Sequence, residues 1–229
     1  MSNFSDKFGP LYAMQKGYVV ESENTSDYTH KFGGSSWNII DEQPVEDGPA
    51  LLITLDLSDP KLSGLGIKSV NEIPVCSYIN SDVWLHDQVY KVNNITKKVS
   101  LLSKNSTSIN IFHDEDRMPN PLPEKLIRLR EIKDSEYPID EGSYWENTDE
   151  FLGGKSFLRV AGKPLWLQEP RKVCCSCNAS MTHLMSIGYE GWGGPFEYID
   201  SMPFFIGEAA LYAFFCDKCS ILKVISQTS

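Results

Sequence analysis

Two Cys-x-x-Cys pairs constrain this chain more than any other feature. Cys174 and Cys177 form the first, in "RKVCCSCNAS", and Cys216 and Cys219 form the second, in "FFCDKCSILK", with 38 residues between the pairs. A tight turn that presents two thiolates, met by a second such turn, supplies the four soft donors that tetrahedral Zn²⁺ requires. Other uses of the same thiols fit less well. A disulfide framework belongs to small secreted chains, and this one is large and starts without a secretory pattern. A redox pair needs its Cys-x-x-Cys at a helix start, whereas these lie between strand-like segments. Iron–sulfur proteins space their cysteines differently. The expected ligands are therefore Cys174, Cys177, Cys216 and Cys219. Four protein thiolates leave no open coordination position, so the metal is expected to be structural. Cys175 then points into the core or to solvent, a reactive thiol beside Arg171 or Lys172 being its functional alternative. Cys76 reads as a small buried hydrophobe.

The rest of the chain is an ordinary folding sequence. At 229 residues, with 41% hydrophobic and 23% charged, it can bury a substantial core. Its formal charge of -10 opposes binding to nucleic acid, where basic residues must replace counterions, and favours a basic protein partner. The charge is uneven. Residues Asp114 to Glu150 hold twelve acidic and five basic residues, a net of -7, together with Pro119, Pro121, Pro123 and Pro138. This stretch reads as an acidic, solvated connector or as an acidic recognition surface. The first residues, "MSNFSDKFGPLYAMQKGYVV", lack a basic segment followed by an apolar run, and no window is apolar enough to span a membrane. A cytoplasmic location, with reduced thiols, is the expectation.

Apolar, β-branched runs broken by polar turns predict a mainly β (α+β) fold. "ALLITLDL", "PVCSYI", "VYKV", "KKVSLL" and "INIF" read as strands before residue 114, and "SFLRVAG", "PLWLQ", "THLMSIGY", "ALYAFF" and "ILKVIS" after residue 150. In "NPLPEKLIRLREI" the spacing of Leu122, Leu126, Leu129 and Ile132 predicts a helix within the connector. The organisation expected is an amino-terminal β-rich half over 1–113, the connector over 114–150 and a carboxy-terminal β-rich zinc-binding half over 151–229. "KFGGSSWNI" and "VAGKPLWLQ" echo each other, with glycine shortly before an aromatic, and "FLGGKSF" repeats the double glycine. Two related halves would explain the echo, and so would turn chemistry alone.

Catalytic motifs are not in evidence: the sequence has no G-x-S-x-G elbow, phosphate loop or H-E-x-x-H pair. His30, His86 and His113 sit among polar residues. His183, near the first cysteine pair, reads as a structural histidine more readily than as a ligand in place of one thiol. Glu190, Glu197 and Asp200 in "YEGWGGPFEYID" read as a solvated loop rather than as catalytic acids. Trp166, Trp192, Phe196, Tyr198, Phe204 and Phe205 build core or, if exposed, anchor a partner. Tyr144 and Trp145 are further candidate anchors inside the acidic stretch.

Three segments together carry a family resemblance. Gly162, Pro164, Trp166, Leu167 and Gln168 form G-x-P-x-W-L-Q; Cys174, Cys177 and Met181 follow; Leu211, Tyr212, Phe214, Cys216 and Cys219 form L-Y-x-F-x-C-x-x-C. Over Val160 to Val224 this resembles the YwqG-like family and its relatives with the carboxy-terminal region of programmed cell death protein 2. The resemblance implies a mainly β fold with duplicated subregions and a role in binding proteins. Relatives look like immunity partners of toxins or like dedicated chaperones for a basic ribosomal protein. No catalytic residues come with it. The expectation is a non-enzymatic protein-binding factor of the immunity or inhibitor kind, with chaperoning and an unknown enzymatic activity as the alternatives.

Overall fold

The computed structural model describes residues 17–228 except 24, 26, 107–108, 114, 116, 192–196 and 201. Trp192 and Phe196 thus lie outside the described residues. The fold is mainly β, as the alternation of apolar residues predicts. The described residues form fourteen strands: β1 (Gly17–Ser22), β2 (Lys31–Phe32), β3 (Asn38–Ile40), β4 (Ala50–Asp56), β5 (Glu72–Ser77), β6 (Gln88–Asn93), β7 (Lys98–Lys104), β8 (Lys125–Glu131), β9 (Leu152–Gly153), β10 (Leu158–Ala161), β11 (Thr182–Ile187), β12 (Tyr189–Glu190), β13 (Ala209–Cys216) and β14 (Ile221–Thr228). Helix α1 (Glu141–Phe151) follows β8. Among the described residues no helix is long and apolar enough to cross a membrane.

Twelve of the strands form one sheet in the order β3-β7-β6-β14-β13-β11-β10-β1-β8-β2-β4-β5. Every pair is antiparallel except β3 with β7. Twist coils the sheet until β5 returns beside β6 and β14. Side chains close the remaining seam. The Tyr78 amide donates to Gln88 Oε1 at 3.2 Å at one end, and Asn94 Nδ2 donates to the Glu72 carbonyl at 3.0 Å at the other.

The halves expected from the sequence are interleaved in this sheet. β1 pairs with β10 of the distant half, and β8 with β2 of the near one. About the central β1–β8 pair, β2, β4 and β5 mirror β10, β11 and β13 in order. Two local irregularities recur at matching places. A bulge interrupts β4–β5 between Leu51 and Ile53, and another interrupts β11–β13 between His183 and Met185. Ile53 is opposite Phe32, and Met185 is opposite Val160; after these partners come Gly33 and Gly34 with φ of 62° and 85°, and Ala161 and Gly162 with φ of 58° and 66°. Turn chemistry alone does not set bulges in register with left-handed pairs. The topology is that of two intertwined copies of one strand pattern.

Three sequence expectations change. Residues 125–131 form β8, not a helix, although Leu126, Leu129 and Ile132 have helical spacing. Flanking β1 and β2 offer ladders on both sides, and the real period is two: Ile127 and Leu129 are buried while Arg128 is exposed. Arg130 turns out with it, to Glu21 at 2.7 Å and Glu136 at 2.9 Å. The acidic stretch thus contributes a central strand as well as a connection. The helix lies further on, where Asp140 Oδ1 accepts from the Ser143 amide at 2.8 Å and Ser143 Oγ accepts from the Asp140 amide at 3.0 Å. That reciprocal cap starts α1, which buries Tyr144, Thr148 and Phe151 on one face. Finally, "INIF" contributes only a bridge from Ile111 to Ser81, and "PLWLQ" is an irregular strap.

Strand β13 shows how the core is divided. Ala209, Leu211, Ala213 and Phe215 join the core enclosed by the coiled sheet, while Ala210, Tyr212, Phe214 and Cys216 join a second cluster on the outer face. The outer cluster is roofed by α1, by the 164–168 strap and by the hairpin that carries the first cysteines. The strap survives without a ladder because side chains satisfy its backbone. Tyr212 Oη donates to the Leu165 carbonyl at 2.7 Å, Tyr144 Oη donates to the Trp166 carbonyl at 2.9 Å, and Gln227 Oε1 accepts from the amides of Leu167 and Gln168 at 3.0 Å each.

Candidate metal centre

Two hairpin tips meet at one end of the outer cluster. In the first, the Asn178 amide donates to the Cys175 carbonyl at 2.9 Å and the Cys175 amide donates to the Ala179 carbonyl at 2.9 Å. Asn178 takes the left-handed position at φ 62°, which asparagine tolerates well. The second tip joins β13 to β14, where Cys216 is opposite Ile221, the Cys219 amide donates to the Cys216 carbonyl at 3.3 Å, and Ser220 is left-handed at φ 50°. The first loop is one residue shorter than the second. That difference decides which cysteine faces the centre.

Cys175, Cys177, Cys216 and Cys219 are the residues brought together. Their sulfurs all lie within 4.8 Å of one another, with Cys177 Sγ and Cys216 Sγ 3.7 Å apart. Cys174, expected as a ligand, is exposed and outside the group. The reason is the period of two in an extended hairpin arm: Val173, Cys175 and Met181 turn toward the outer cluster, and Cys174, bridged across to Ser180, turns to solvent. Read as a knuckle, the sequence pairs Cys174 with Cys177 by spacing; read as a hairpin, it pairs Cys175 with Cys177 by facing. The doubled cysteine was the signal of this ambiguity, and the buried "V-x-C" alternation was the one that resolves it.

The arrangement fits a metal ion. A tetrahedral thiolate site with bonds of about 2.3 Å has sulfur–sulfur edges of about 3.8 Å. The spacing here matches within a small contraction. Soft thiolate donors suit zinc and other thiophilic metals. Cys175 and Cys216 are buried, and Cys177 and Cys219 are partly exposed. Burial works against the Cys175 thiolate, but the Cys177 amide and hydrogen bonds from Cys216, Ser176 and Cys177 outweigh it and bring its pKa down to about 7. The hydrogen bond to Cys177, with burial, pushes Cys219 up to about 12, and burial raises Cys216. One thiolate thus forms readily at neutral pH and discourages the next, so the group favours a cation that can neutralise the others.

Both knuckles are tied to distant chain. Asp217 Oδ1 accepts from the amides of Lys68 and Ser69 at 3.0 and 2.8 Å, and Lys91 Nζ donates to the Cys219 carbonyl at 2.5 Å. Arg171 forms a two-pronged pair with Asp87 at 3.0 Å, an acid shared with Lys223 at 3.1 Å. A metal here would fasten strands from both halves of the sequence.

The other candidate residues are placed as follows. His183 is not a ligand: its Nδ1 faces the Gly162 carbonyl and its Nε2 the Ser186 hydroxyl, each at 3.2 Å. Burial brings its pKa down to about 4. His30 keeps the polar partners its neighbours in sequence imply, but away from solvent. It is buried, accepting from the Asp56 amide on Nδ1 and donating from Nε2 to buried Asp59, both at 3.0 Å. Glu190 is buried rather than solvated, and its carboxylate accepts from the amides of Glu197 and Phe204 at 3.2 Å each. Glu197 and Asp200 are exposed. Trp166, Tyr198 and Phe204 are core residues, and Phe205 is partly exposed. Cys76 is fully buried, and burial raises its pKa. Of the two aromatic anchors, Tyr144 is buried and Trp145 is 39% exposed.

No protein-family pattern matches this chain, and no curated protein or solved structure does. The thiol group and the surfaces of the molecule therefore carry the functional argument.

Proposed function

We propose that this chain is a non-enzymatic factor that binds a basic protein, of the immunity or inhibitor kind, and that a structural Zn²⁺ on Cys175, Cys177, Cys216 and Cys219 fixes the outer cluster on which the binding element rests. The observation that carries the reading is helix α1. Its inner face, through Tyr144 and Phe151, shares one apolar cluster with Cys175 and Cys216. Its outer side shows Trp145, 39% exposed, among exposed Glu141, Glu146, Asp149 and Glu150, and Ile139 just before the helix is 65% exposed. A large aromatic ringed by charge of one sign is the anatomy of a binding anchor with an electrostatic guide. The zinc has no step to perform in this reading; four thiolates hold it as a brace.

Affinity purification from the native host, with the full chain as bait, tests the reading. A basic protein should be retained. Trp145→Ala should raise its dissociation rate about tenfold or more, and replacing Glu141, Glu146, Asp149 and Glu150 by their amides should slow association and flatten its salt dependence. Capture of a ribosomal protein would turn the reading toward chaperoning. Turnover of a small molecule, with no protein retained, would replace it with an enzyme.

A further inference from the structure

A cleft of about 710 Å³ lies along β3, the strand at one end of the sheet order. One wall is β3, the last strand of the sheet, and the other is the loop from Gln43 to Pro49 with Asn120 and Pro121. β3 pairs with β7 on one side alone. The Asn38 amide donates to Lys97 O at 2.8 Å, toward β7, so the alternation of a parallel ladder turns the N–H and C=O of Ile39 the other way, along the cleft. Trp37 forms part of the lining. It is 4% exposed, and its indole N–H has no acceptor among the described residues. Lys97 stacks on its ring at 4.7 Å and is held by Glu72. Apolar surface is on offer as well, with Ile40 38% and Val45 69% exposed.

Charge says what would fit. The loop from Asp41 to Asp47 holds four acids and no base. Asp41 accepts from Tyr78 Oη and Asp47 is paired with Arg117. Glu42 and Glu46 are exposed, with no ion-pair partner among the described residues. The loop itself is braced, since Asn120 Nδ2 donates to the carbonyls of Val45 and Gly48 at 2.6 and 3.0 Å. The cleft thus joins an open strand edge to a short apolar floor, and the two carboxylates stand outside its lining, on the exposed side of the loop that forms its wall.

We infer that this cleft is a second docking site, which takes an extended, basic segment of the protein partner as a strand added to β3. The inference rests on the reading of the chain as a binder of basic proteins, and it assigns a surface remote from α1 in the sheet. Backbone bonds to Ile39 give the segment its register, its apolar residues meet Ile40 and Val45, and its lysines or arginines face Glu42 and Glu46. Specificity would then come from alternation of apolar and basic side chains, because side chains two apart share a face.

The test uses the full chain and an array of short synthetic peptides in which valine or isoleucine alternates with lysine, arginine, serine or glutamate. Basic alternating peptides should be retained over acidic and serine ones, and amide NMR shifts on binding should centre on Asn38, Ile39 and Ile40. Ile39→Pro, which removes one edge donor, should weaken binding about tenfold. Peptides N-methylated at alternate residues should bind in one register of methylation and fail in the other, a result that does not depend on any variant folding. Glu42→Gln with Glu46→Gln should remove the salt dependence. No preference for basic peptides, equal binding of both methylation registers, or self-association of the chain through β3 would overturn the site. A cellular partner that depends on Trp145 but not on Ile39 would also overturn it while leaving the α1 reading in place.

Discussion

At Cys174 and Cys175 a single residue decides the chemistry. Cys175→Ser should abolish stoichiometric metal binding, and Cys174→Ser should leave it intact, measured as metal per chain by elemental analysis of purified protein. Equal loss from both would return the site to a spacing-based knuckle. His183 makes a second residue-scale case. Its folded pKa of about 4 lies below the ordinary value of 6.5, so between these values the unfolded chain binds the extra proton. The stability it contributes is complete above pH 6.5 and is lost as pH falls toward 4. For a partly exposed imidazole the loss is at most about 3 kcal/mol. Denaturant titrations at pH 7 and pH 4.5 should show a smaller acid loss in His183→Gln than in the parent chain. An identical loss would remove His183 as the cause. Both residues also show the reach of sequence reading: it finds the residue types that carry chemistry, but a doubled cysteine or a half-buried histidine is settled by facing and burial.

Elements here are fixed by their neighbours. β8 has helical spacing in its leucines and becomes a strand because β1 and β2 both pair with it. The strap at 164–168 reads as a strand and becomes irregular because Tyr212, Tyr144 and Gln227 take up its backbone groups. Gln227→Ala should therefore leave the Gln168 amide and the Glu169 carbonyl short of a partner, the Leu167 amide keeping Tyr212 Oη, and destabilise the chain by about 1–2 kcal/mol. Thermal unfolding checks it; a change under about 0.5 kcal/mol would mean that the strap is held by Trp166 packing alone. The turn after β2 gives an independent test. A Cβ on Gly33 would lie 2.3 Å from the Pro123 carbonyl oxygen, at φ +62°, so Gly33→Ala should cost about 2–4 kcal/mol, whereas Gly64→Ala, with nothing within 4 Å, should cost little. Near-equal stabilities of the two variants would refute the placement of that turn against residues 122–123.

For the whole molecule, interleaving makes the chain one unit. The segment 151–229 lacks the partners that β10 finds in β1 and β14 finds in β6. Expressed alone it should expose these edges and show no protected amides by hydrogen exchange, while the full chain unfolds in a single transition. A folded, soluble 151–229 fragment would contradict the intertwined arrangement. Metal removal acts at the same scale, because the thiol group joins hairpins fastened to residues 68–69 and 91. Chelation should lower the melting temperature by on the order of 10 °C or more, and re-addition of Zn²⁺ should restore it. An unchanged melting temperature would leave the thiols without a bracing role.

By itself the sequence determined what its periods and residue types encode: a mainly β chain, strands β4 to β7, β10, β11, β13 and β14, a thiol-rich site in the last third, and a buried role for Cys76. Alternation and side-chain chemistry are local, and local facts survive folding. Tertiary structure alone decided the rest. Which of two adjacent cysteines faces the others depends on where a hairpin turns; whether "EKLIRLREI" is helix or strand depends on two distant ladders; whether His30 and Glu190 are wet or dry depends on what covers them. Each of these is set by contacts far apart in sequence, whose energies no window of the chain contains.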